Sequence, residues 1–167
     1  MNYAAQLKKL MLRRPRLTLA VAESLTAGHL QAHIAAVSGA SGFFLGGITA
    51  YSLEQKVALL GVDRAAAKRD KCVSQRVAIE MAYGAMRQFG ADVGAATTGY
   101  AEPDRAAGVK HPMAWWAICQ RMKDGKLMLN AGTVEVAGAN RTEAQARIAE
   151  DVAGLLVAHV SAWRAQR

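Results

Sequence analysis

Residues 17–62 read LTLAVAESLTAGHLQAHIAAVSGASGFFLGGITAYSLEQKVALLGV, and this stretch decides the fold. It holds two apolar runs, 17–22 and 45–50, and each run breaks at a turn that carries hydroxyl side chains. A helix-like pattern follows each turn, so the stretch predicts two strand–turn–helix units. Since ligands of open α/β sheets bind at the carboxyl ends of strands, these two turns are the predicted active site.

Apolar periodicity predicts the remaining elements on both sides of this stretch. The predicted helices cover 2–14, 25–37, 53–60 and 75–89, with a last helix from Asn140, and the predicted strands cover 17–22, 44–50, 92–98, 113–120 and 127–136. Asp124-Gly125 joins the last two strands as a hairpin. Residues 64–71 are left open between loop and short helix, and 99–111 form a loop long enough to be functional. This order predicts an α/β fold, a three-layer α/β/α sandwich with a mixed, largely parallel central sheet, in one domain over 1–167.

Composition and charge exclude several classes of protein. The chain has 167 residues, 52% of them hydrophobic, which suits one core, and no apolar run approaches the ~18 residues of a membrane-spanning helix. The formal net charge of +8 is compatible with nucleic-acid binding, but the basic residues are scattered along the chain. Only 6% of all residues are aromatic, too few for a surface on which bases stack, so we predict no nucleic-acid partner. We expect the charge to attract anionic small molecules. Residues 1–17 are basic, as in a mitochondrial presequence, but an apolar stripe at helical spacing favours an amphipathic first helix.

The cysteines and histidines predict neither a disulfide nor a metal site. Cys72 and Cys119 are far apart and show no CxxC or zinc spacing, which fits a reducing cytoplasm. His29 and His33 lie one helical turn apart, which is compatible with a metal, but the glutamate of an HExxH motif does not follow His29. We therefore predict no metal, no cofactor and a cytoplasmic location.

Ser24, Tyr51 and Lys56 are the candidate catalytic set. A lysine that is partly desolvated among apolar residues can accept a proton from a hydroxyl near neutral pH. Lys56 lies about one helical turn beyond Tyr51, so both side chains can point into one crevice, where Tyr51 relays a proton or positions Ser24. In the plain structural alternative, Ser24 only caps a helix, Tyr51 fills space and Lys56 lies on a surface helix. Spacing alone favours this alternative.

Residues 22–28, AESLTAG, resemble the AESCTGG signature of the CinA C-terminal domain family. The resemblance continues in order through nearly the whole chain, at Ser38-Gly39-Ala40-Ser41, Phe44-Leu45-Gly46-Gly47, Ala50-Tyr51-Ser52, Lys56, Leu60-Gly61-Val62, Val73-Ser74, Met81-Ala82-Tyr83-Gly84-Ala85, Gly90-Ala91-Asp92, Thr98-Gly99-Tyr100-Ala101, Pro112, Gly138 and Arg141. The common order and spacing of these motifs make the resemblance specific. It implies a stand-alone nicotinamide mononucleotide amidohydrolase, which forms nicotinic acid mononucleotide and ammonia in pyridine nucleotide salvage.

By this resemblance, Ser24, Tyr51 and Lys56 match the family's catalytic serine, tyrosine and lysine. Lys56, with Tyr51, takes the proton from Ser24, which attacks the carboxamide carbon and forms an acyl-enzyme. Backbone N–H groups of the turn 25–28 would stabilise the oxyanion. Arg141 would hold the substrate phosphate, unless it is only a surface residue near a helix cap. The implied substrate-binding residues are Thr26, Gly28, Ser41, Gly47, Thr98, Gly99 and Arg141.

This chain departs from the family pattern most strongly in the loop after the third predicted strand. The family's TGIAGPxGG becomes TGYAEPDRAAG over residues 98–108, where glycines give way to Glu102, Asp104 and Arg105. Glu102 would repel a phosphate, whereas Arg105 would attract one. The other replacements are Leu25, Ala27, Leu53 and Asn140. The alternative function is therefore a catalytically inactive or differently specific paralogue that binds a nucleotide or a protein partner. The resemblance also implies a homo-oligomer.

Overall fold

A computed structural model describes residues 2–166, and its five strands and six helices follow the predicted order. The strands are β1 (Leu19–Glu23), β2 (Phe44–Thr49), β3 (Val93–Tyr100), β4 (Met113–Arg121) and β5 (Leu127–Glu135). The helices are α1 (Tyr3–Leu12), α2 (His29–Ala35), α3 (Leu53–Leu60), α4 (Arg64–Arg69), α5 (Gln75–Phe89) and α6 (Arg141–Ala165). Within this described range, no helix combines the length and the apolar character that crossing a membrane requires.

The strands form one sheet in the order β2-β1-β3-β4-β5. β1 pairs in parallel with β2 and with β3, while β4 is antiparallel to both β3 and β5. Four of the strands therefore run in the same direction, and the predicted hairpin supplies the antiparallel part. The prediction of a mixed, largely parallel sheet is confirmed.

Two hydrophobic clusters cover the two faces of the sheet, and β1, whose five residues are all buried, contributes to both. Because successive side chains of a strand point to opposite faces, Leu19 and Val21 enter one cluster and Ala20 and Ala22 the other. Helices α1, α2 and α6 pack together on the first face, and α5 packs on the second with α3 and α4 beside it. These layers are the predicted α/β/α sandwich.

Helix α2 begins at His29, four residues later than predicted, because the preceding turn has a geometry of its own. Ala27 and Gly28 both have positive φ, at 49° and 101°, so the chain leaves the helical region there. The buried carboxylate of Glu23 accepts three N–H groups at the start of α2, at 2.9–3.0 Å. A side chain from the end of β1 thus caps this helix and fixes the turn.

The ends of other elements follow from local capping. Asp63 accepts the N–H of Ala66 at 2.7 Å, so the segment left open from the sequence forms the helix α4. Asn140 and Glu143 form the predicted capping box of α6. The predicted loop 99–111 is shorter than expected, because β3 runs on to Tyr100 and a 3₁₀ turn follows within the loop.

Gly94 on β3 lies where α5 comes closest to the sheet. A Cβ atom on Gly94 would lie 2.1 Å from the carbonyl oxygen of Ala82 and 2.8 Å from the Cβ atom of Met86. Gly94→Ala must therefore push α5 off the sheet, and we expect it to lower the free energy of unfolding by about 2–3 kcal/mol, measured by urea denaturation. The control is Gly90→Ala, where a Cβ meets nothing within 4 Å and only the positive φ of 63° opposes the change, at about 1 kcal/mol. Equal stability of the two variants would contradict this packing.

Candidate active site

The carboxyl ends of β1, β2 and β3 surround a cavity of about 540 Å³. Ser24 directly follows β1, Tyr51 follows β2, and Lys56 lies one turn into α3. The predicted site residues that line the cavity are Ser24, Tyr51, Lys56, Thr98, Gly99 and Arg141. The structure therefore assembles them at the edge of the sheet where α/β proteins bind ligands.

The Lys56 amine lies at the base of this cavity, and the side chain is only 1% exposed. Its Nζ atom donates to Ser24 Oγ at 2.9 Å, to the carbonyl oxygen of Ala50 at 2.8 Å and to that of Tyr51 at 3.1 Å. An ammonium group has three N–H donors, so these three acceptors satisfy all of them. Lys56 thus touches the predicted nucleophile directly and is not a surface lysine.

Burial lowers the pKa of Lys56 below its ordinary value, an effect that the nearby Cys72 thiol opposes. When the amine loses its proton, the two carbonyl oxygens still need its two remaining N–H donors. The lone pair is then directed at the third neighbour, the hydroxyl oxygen of Ser24, at 2.9 Å. This arrangement lets Lys56 accept the Ser24 proton, as a general base must.

Local structure explains why Lys56 lies there. Ser52 caps α3 by accepting the N–H of Gln55 at 3.3 Å, and the carbonyl oxygen of Ser52 accepts the N–H of Lys56 at 3.1 Å. Lys56 and Leu60 are one helical turn apart and are the two buried residues of α3. The face of α3 that packs on the core is therefore the face that carries the amine.

The backbone N–H groups of the turn after Ser24 are partly used by the protein itself. Glu23 takes the Gly28 N–H, and the carbonyl oxygen of Ser24 accepts the N–H of Ala27 at 3.1 Å. Within residues 2–166, neither the Leu25 N–H nor the Thr26 N–H donates to another group. Of these two residues, Leu25 lines the cavity and Thr26 is fully buried, so the Leu25 N–H is the donor that this turn offers to a ligand.

Tyr51 lies at the cavity, but its phenol does not lie between Ser24 and Lys56. The side chain is 55% exposed, and its hydroxyl accepts from Arg141 Nη2 at 2.6 Å. Because Lys56 reaches Ser24 directly, the predicted proton relay through the Tyr51 phenol is not the arrangement that the structure has. Tyr51 contributes its backbone carbonyl to the amine and its side chain to the rim of the cavity.

Four predicted binding residues lie outside the cavity lining. The Thr26 side chain is buried, with its hydroxyl 2.7 Å from that of Thr97, and Gly28 bonds Glu23. Ser41 precedes β2 and therefore lies at the opposite edge of the sheet. Gly47 lies within β2, where a Cβ would come 2.6 Å from the Gln31 side chain. These residues have structural roles in the turn and in packing, and their predicted binding role finds no support in their positions.

Sequence reasoning did not identify the wall that residues 71–73 add to the cavity. Lys71 and Cys72 have positive φ, at 50° and 62°, and Thr98 Oγ1 donates to the Cys72 carbonyl oxygen at 2.6 Å. This bond ties the loop before α5 to the end of β3. No sequence pattern signals the contact, because it depends on how α4 and α5 are placed.

Among the described residues, no histidine lines the cavity. His159 is buried on α6 with Nε2 2.9 Å from Gln120 Oε1, and burial lowers its pKa. His29 and His33 lie on α2, and the described residues contain no group of three metal-ligating side chains that could hold a metal ion. The candidate base of this site is therefore Lys56.

The family model described as the CinA C-terminal domain matches residues 2–159. A CinA-like protein of Chlorobium limicola is 39% identical over 142 residues, which cover 84% of this chain and 33% of that protein. A CinA-like protein of Chlorobaculum tepidum is 40% identical over 145 residues, which cover 85% of this chain and 34% of that protein. This chain thus spans about a third of the length of the curated relatives it matches.

Solved structures show the same architecture. The competence damage-inducible protein A of Klebsiella pneumoniae superposes with a TM-score of 0.85 at 25% identity, covering 96% of both chains. A competence-damaged protein (CinA) superfamily protein of Escherichia coli gives a TM-score of 0.79 at 26% identity, covering 93% of this chain and 87% of that one. The resemblance inferred from the sequence motifs is confirmed.

The lowered pKa of Lys56 makes the stability of the fold depend on pH. Between this lowered pKa and the ordinary value of 10.5, the unfolded chain binds more protons than the folded one, so the free energy of unfolding rises with pH. Lys56→Met lacks this contribution. Raising the pH should therefore shift the stability difference between the two proteins in favour of the wild type, by at most about 1.4 kcal/mol per pH unit.

Urea denaturation of both proteins across a pH series measures this difference. Lys126→Met, which removes a largely exposed lysine, is the matched control and should show no such trend. A difference between wild type and Lys56→Met that stays constant with pH would contradict the lowered pKa.

Proposed function

This chain belongs to the CinA C-terminal domain family, and we propose that it hydrolyses nicotinamide mononucleotide to nicotinic acid mononucleotide and ammonia. The observation that carries the proposal is the Ser24 hydroxyl 2.9 Å from a buried Lys56 amine at the base of an open cavity. A serine activated by a desolvated lysine is a nucleophile suited to acyl transfer from a carboxamide.

In the first half of the reaction, neutral Lys56 takes the proton of Ser24 as Oγ attacks the carboxamide carbon. The negative charge on the carboxamide oxygen is stabilised by the N–H group of Leu25, which lines the cavity and has no other acceptor among residues 2–166. The protonated amine is held by the carbonyl oxygens of Ala50 and Tyr51. It then gives its proton to the leaving nitrogen, ammonia departs, and an ester on Ser24 remains.

In the second half, Lys56 is neutral again and takes a proton from a water that attacks the ester carbon. The second tetrahedral species collapses, the proton returns from Lys56 to Ser24 Oγ, and the product leaves as a carboxylic acid that gives its remaining proton to the solvent. The same amine thus acts once as base and once as acid in each half, which suits its lowered pKa.

The size of the cavity and the charges at its rim are compatible with a phosphorylated substrate. The cavity volume of about 540 Å³ lies within the usual range for small-molecule sites. Arg141, Lys71 and Arg105 place three cations around the opening. A guanidinium fork binds a phosphate through two parallel hydrogen bonds, so Arg141 is the proposed phosphate partner.

One observation favours the alternative of an inactive or differently specific paralogue. Glu102, which replaces a family glycine, already binds the Arg141 guanidinium at 2.7 Å. In that case the nucleotide would raise the melting temperature of the protein without being turned over. A thermal-shift measurement beside the ammonia assay separates the two functions.

Ser24→Ala removes the proposed nucleophile. We expect ammonia release from millimolar nicotinamide mononucleotide to fall at least about a thousandfold, since no other group can form the ester. Ser161→Ala on α6 removes a hydroxyl outside the cavity lining and should leave the rate unchanged. A purified wild type that releases no ammonia would overturn the amidase proposal, and an active Ser24→Ala would overturn the role of Ser24.

Arg141→Gln removes the proposed phosphate partner and keeps the reacting groups. Because a hydrogen bond to a charged group is lost, we expect KM for nicotinamide mononucleotide to rise about tenfold or more, with a smaller change in kcat. Steady-state kinetics measures both constants. A fall in kcat at constant KM would show that Arg141 acts on the reacting groups and not on the phosphate.

A further inference from the structure

Glu102, on the loop after β3, forms an ion pair with Arg141, the proposed partner of the substrate phosphate. Arg141 Nη1 donates to Glu102 Oε2 at 2.7 Å, and Arg141 Nη2 donates to the Tyr51 hydroxyl at 2.6 Å. Each arm of the guanidinium fork is therefore engaged by a group of the protein itself. Both Glu102 and Arg141 line the cavity.

Backbone hydrogen bonds close the segment of this loop that directly follows Glu102. Asp104 and Val109 exchange two backbone hydrogen bonds, at 2.8 and 3.0 Å. The Asp104 carboxylate is used within the loop, where it accepts the N–H of Ala107 at 3.0 Å. Glu102 is thus the carboxylate of this loop that faces Arg141, and its side chain can leave Arg141 without unfolding the loop.

We infer that Glu102 is a specificity-determining residue, whose carboxylate competes with the ligand phosphate for Arg141. The competition lowers the preference of the site for a phosphorylated ligand over its unphosphorylated counterpart. The inference rests on the proposed function in one respect, namely that Arg141 is the phosphate partner. It differs from the proposed mechanism because Glu102 takes no part in the bond-making steps.

The size of the effect follows from the exposure of the pair. The side chains of Arg141 and Glu102 are 45% and 60% exposed, and ion pairs that water reaches to this extent are weak and readily exchanged. A phosphate that takes the guanidinium must displace the Glu102 carboxylate or lie beside it as a like charge. Loss of a single exposed ion pair of this kind changes a dissociation constant by at most about fivefold.

Glu102→Gln is the variant that tests the inference. It removes the charge while the amide oxygen can still accept from Arg141, so the guanidinium keeps its orientation. The probes are ribose 5-phosphate and ribose, whose binding is measured by titration calorimetry and requires no turnover. We expect ribose 5-phosphate to bind about threefold to fivefold more tightly to Glu102→Gln than to the wild type, with ribose bound no more tightly.

Two controls separate this competition from a general gain of positive charge. Asp124→Asn makes the same change of charge in the β4–β5 turn, at the opposite end of the sheet, and should leave ribose 5-phosphate binding unchanged. In an Arg141→Gln background, Glu102→Gln should give no gain, because the residue it competes for is absent. A gain that persists in that background would overturn the inference.

The inference is also overturned if Glu102→Gln binds ribose 5-phosphate no more tightly than the wild type, or if neither protein binds it at millimolar concentration. Ammonia release from nicotinamide mononucleotide tests the proposed function separately. Tighter ribose 5-phosphate binding without any ammonia would support the inference on Glu102 and overturn the amidase. Ammonia release without the gain in binding would do the reverse.

Discussion

The buried amine of Lys56 is the constraint on which the rest of the site depends. A lysine nitrogen without acceptors would be costly in this position, and the backbone of the β2 end supplies two of them, the carbonyl oxygens of Ala50 and Tyr51. The third, Ser24, comes from the neighbouring strand. Its place is set by strand register, because the N–H of Ala50 continues the ladder to the carbonyl oxygen of Glu23 at 2.9 Å. A slip of one residue between β1 and β2 would turn these groups to opposite faces.

Glu23 holds the other half of the site in place. A buried carboxylate needs strong donors, and the start of α2 provides three N–H groups at 2.9–3.0 Å. These bonds compensate for the positive φ of Ala27, a conformation that a residue with a side chain rarely adopts. They also withdraw the helix terminus from ligand binding, which leaves the Leu25 N–H without an acceptor at the cavity among the described residues. The turn that carries Ser24 is thus held in place by the buried acid that precedes Ser24.

Local signals in the sequence were sufficient for the order of the strands and helices, with strand ends within about two residues, whereas the pairing of Ser24 with Lys56 was favoured only by the family resemblance. The predicted spacing of Lys56 about one turn beyond Tyr51 agrees with its position in α3, but the sequence did not show that the amine is buried. Sequence reasoning was wrong about the start of α2, where the apolar pattern suggested a helix from residue 25 but the Glu23 carboxylate binds the N–H groups of a later helix start. Sequence reasoning also did not predict that the Tyr51 phenol contacts Arg141, because packing against the core does not position an exposed side chain. Ser41 was proposed from a family motif, and only the strand order shows that it lies at the opposite sheet edge.

In the proposed function, the reacting groups and the groups that bind the phosphate lie on different parts of the fold. The Ser24 and Lys56 groups lie on the ends of paired strands and on a packed helix, whereas Arg141 and Glu102 meet across 39 positions of the chain at an exposed rim. Arg141 is the first residue of the long helix α6, which a capping box fixes and whose positive end adds to the attraction for anions. Glu102 lies on a loop and opposes that attraction. Because the rim contacts are weak individually, a single loop side chain can shift which ligands bind while the reacting groups stay unchanged.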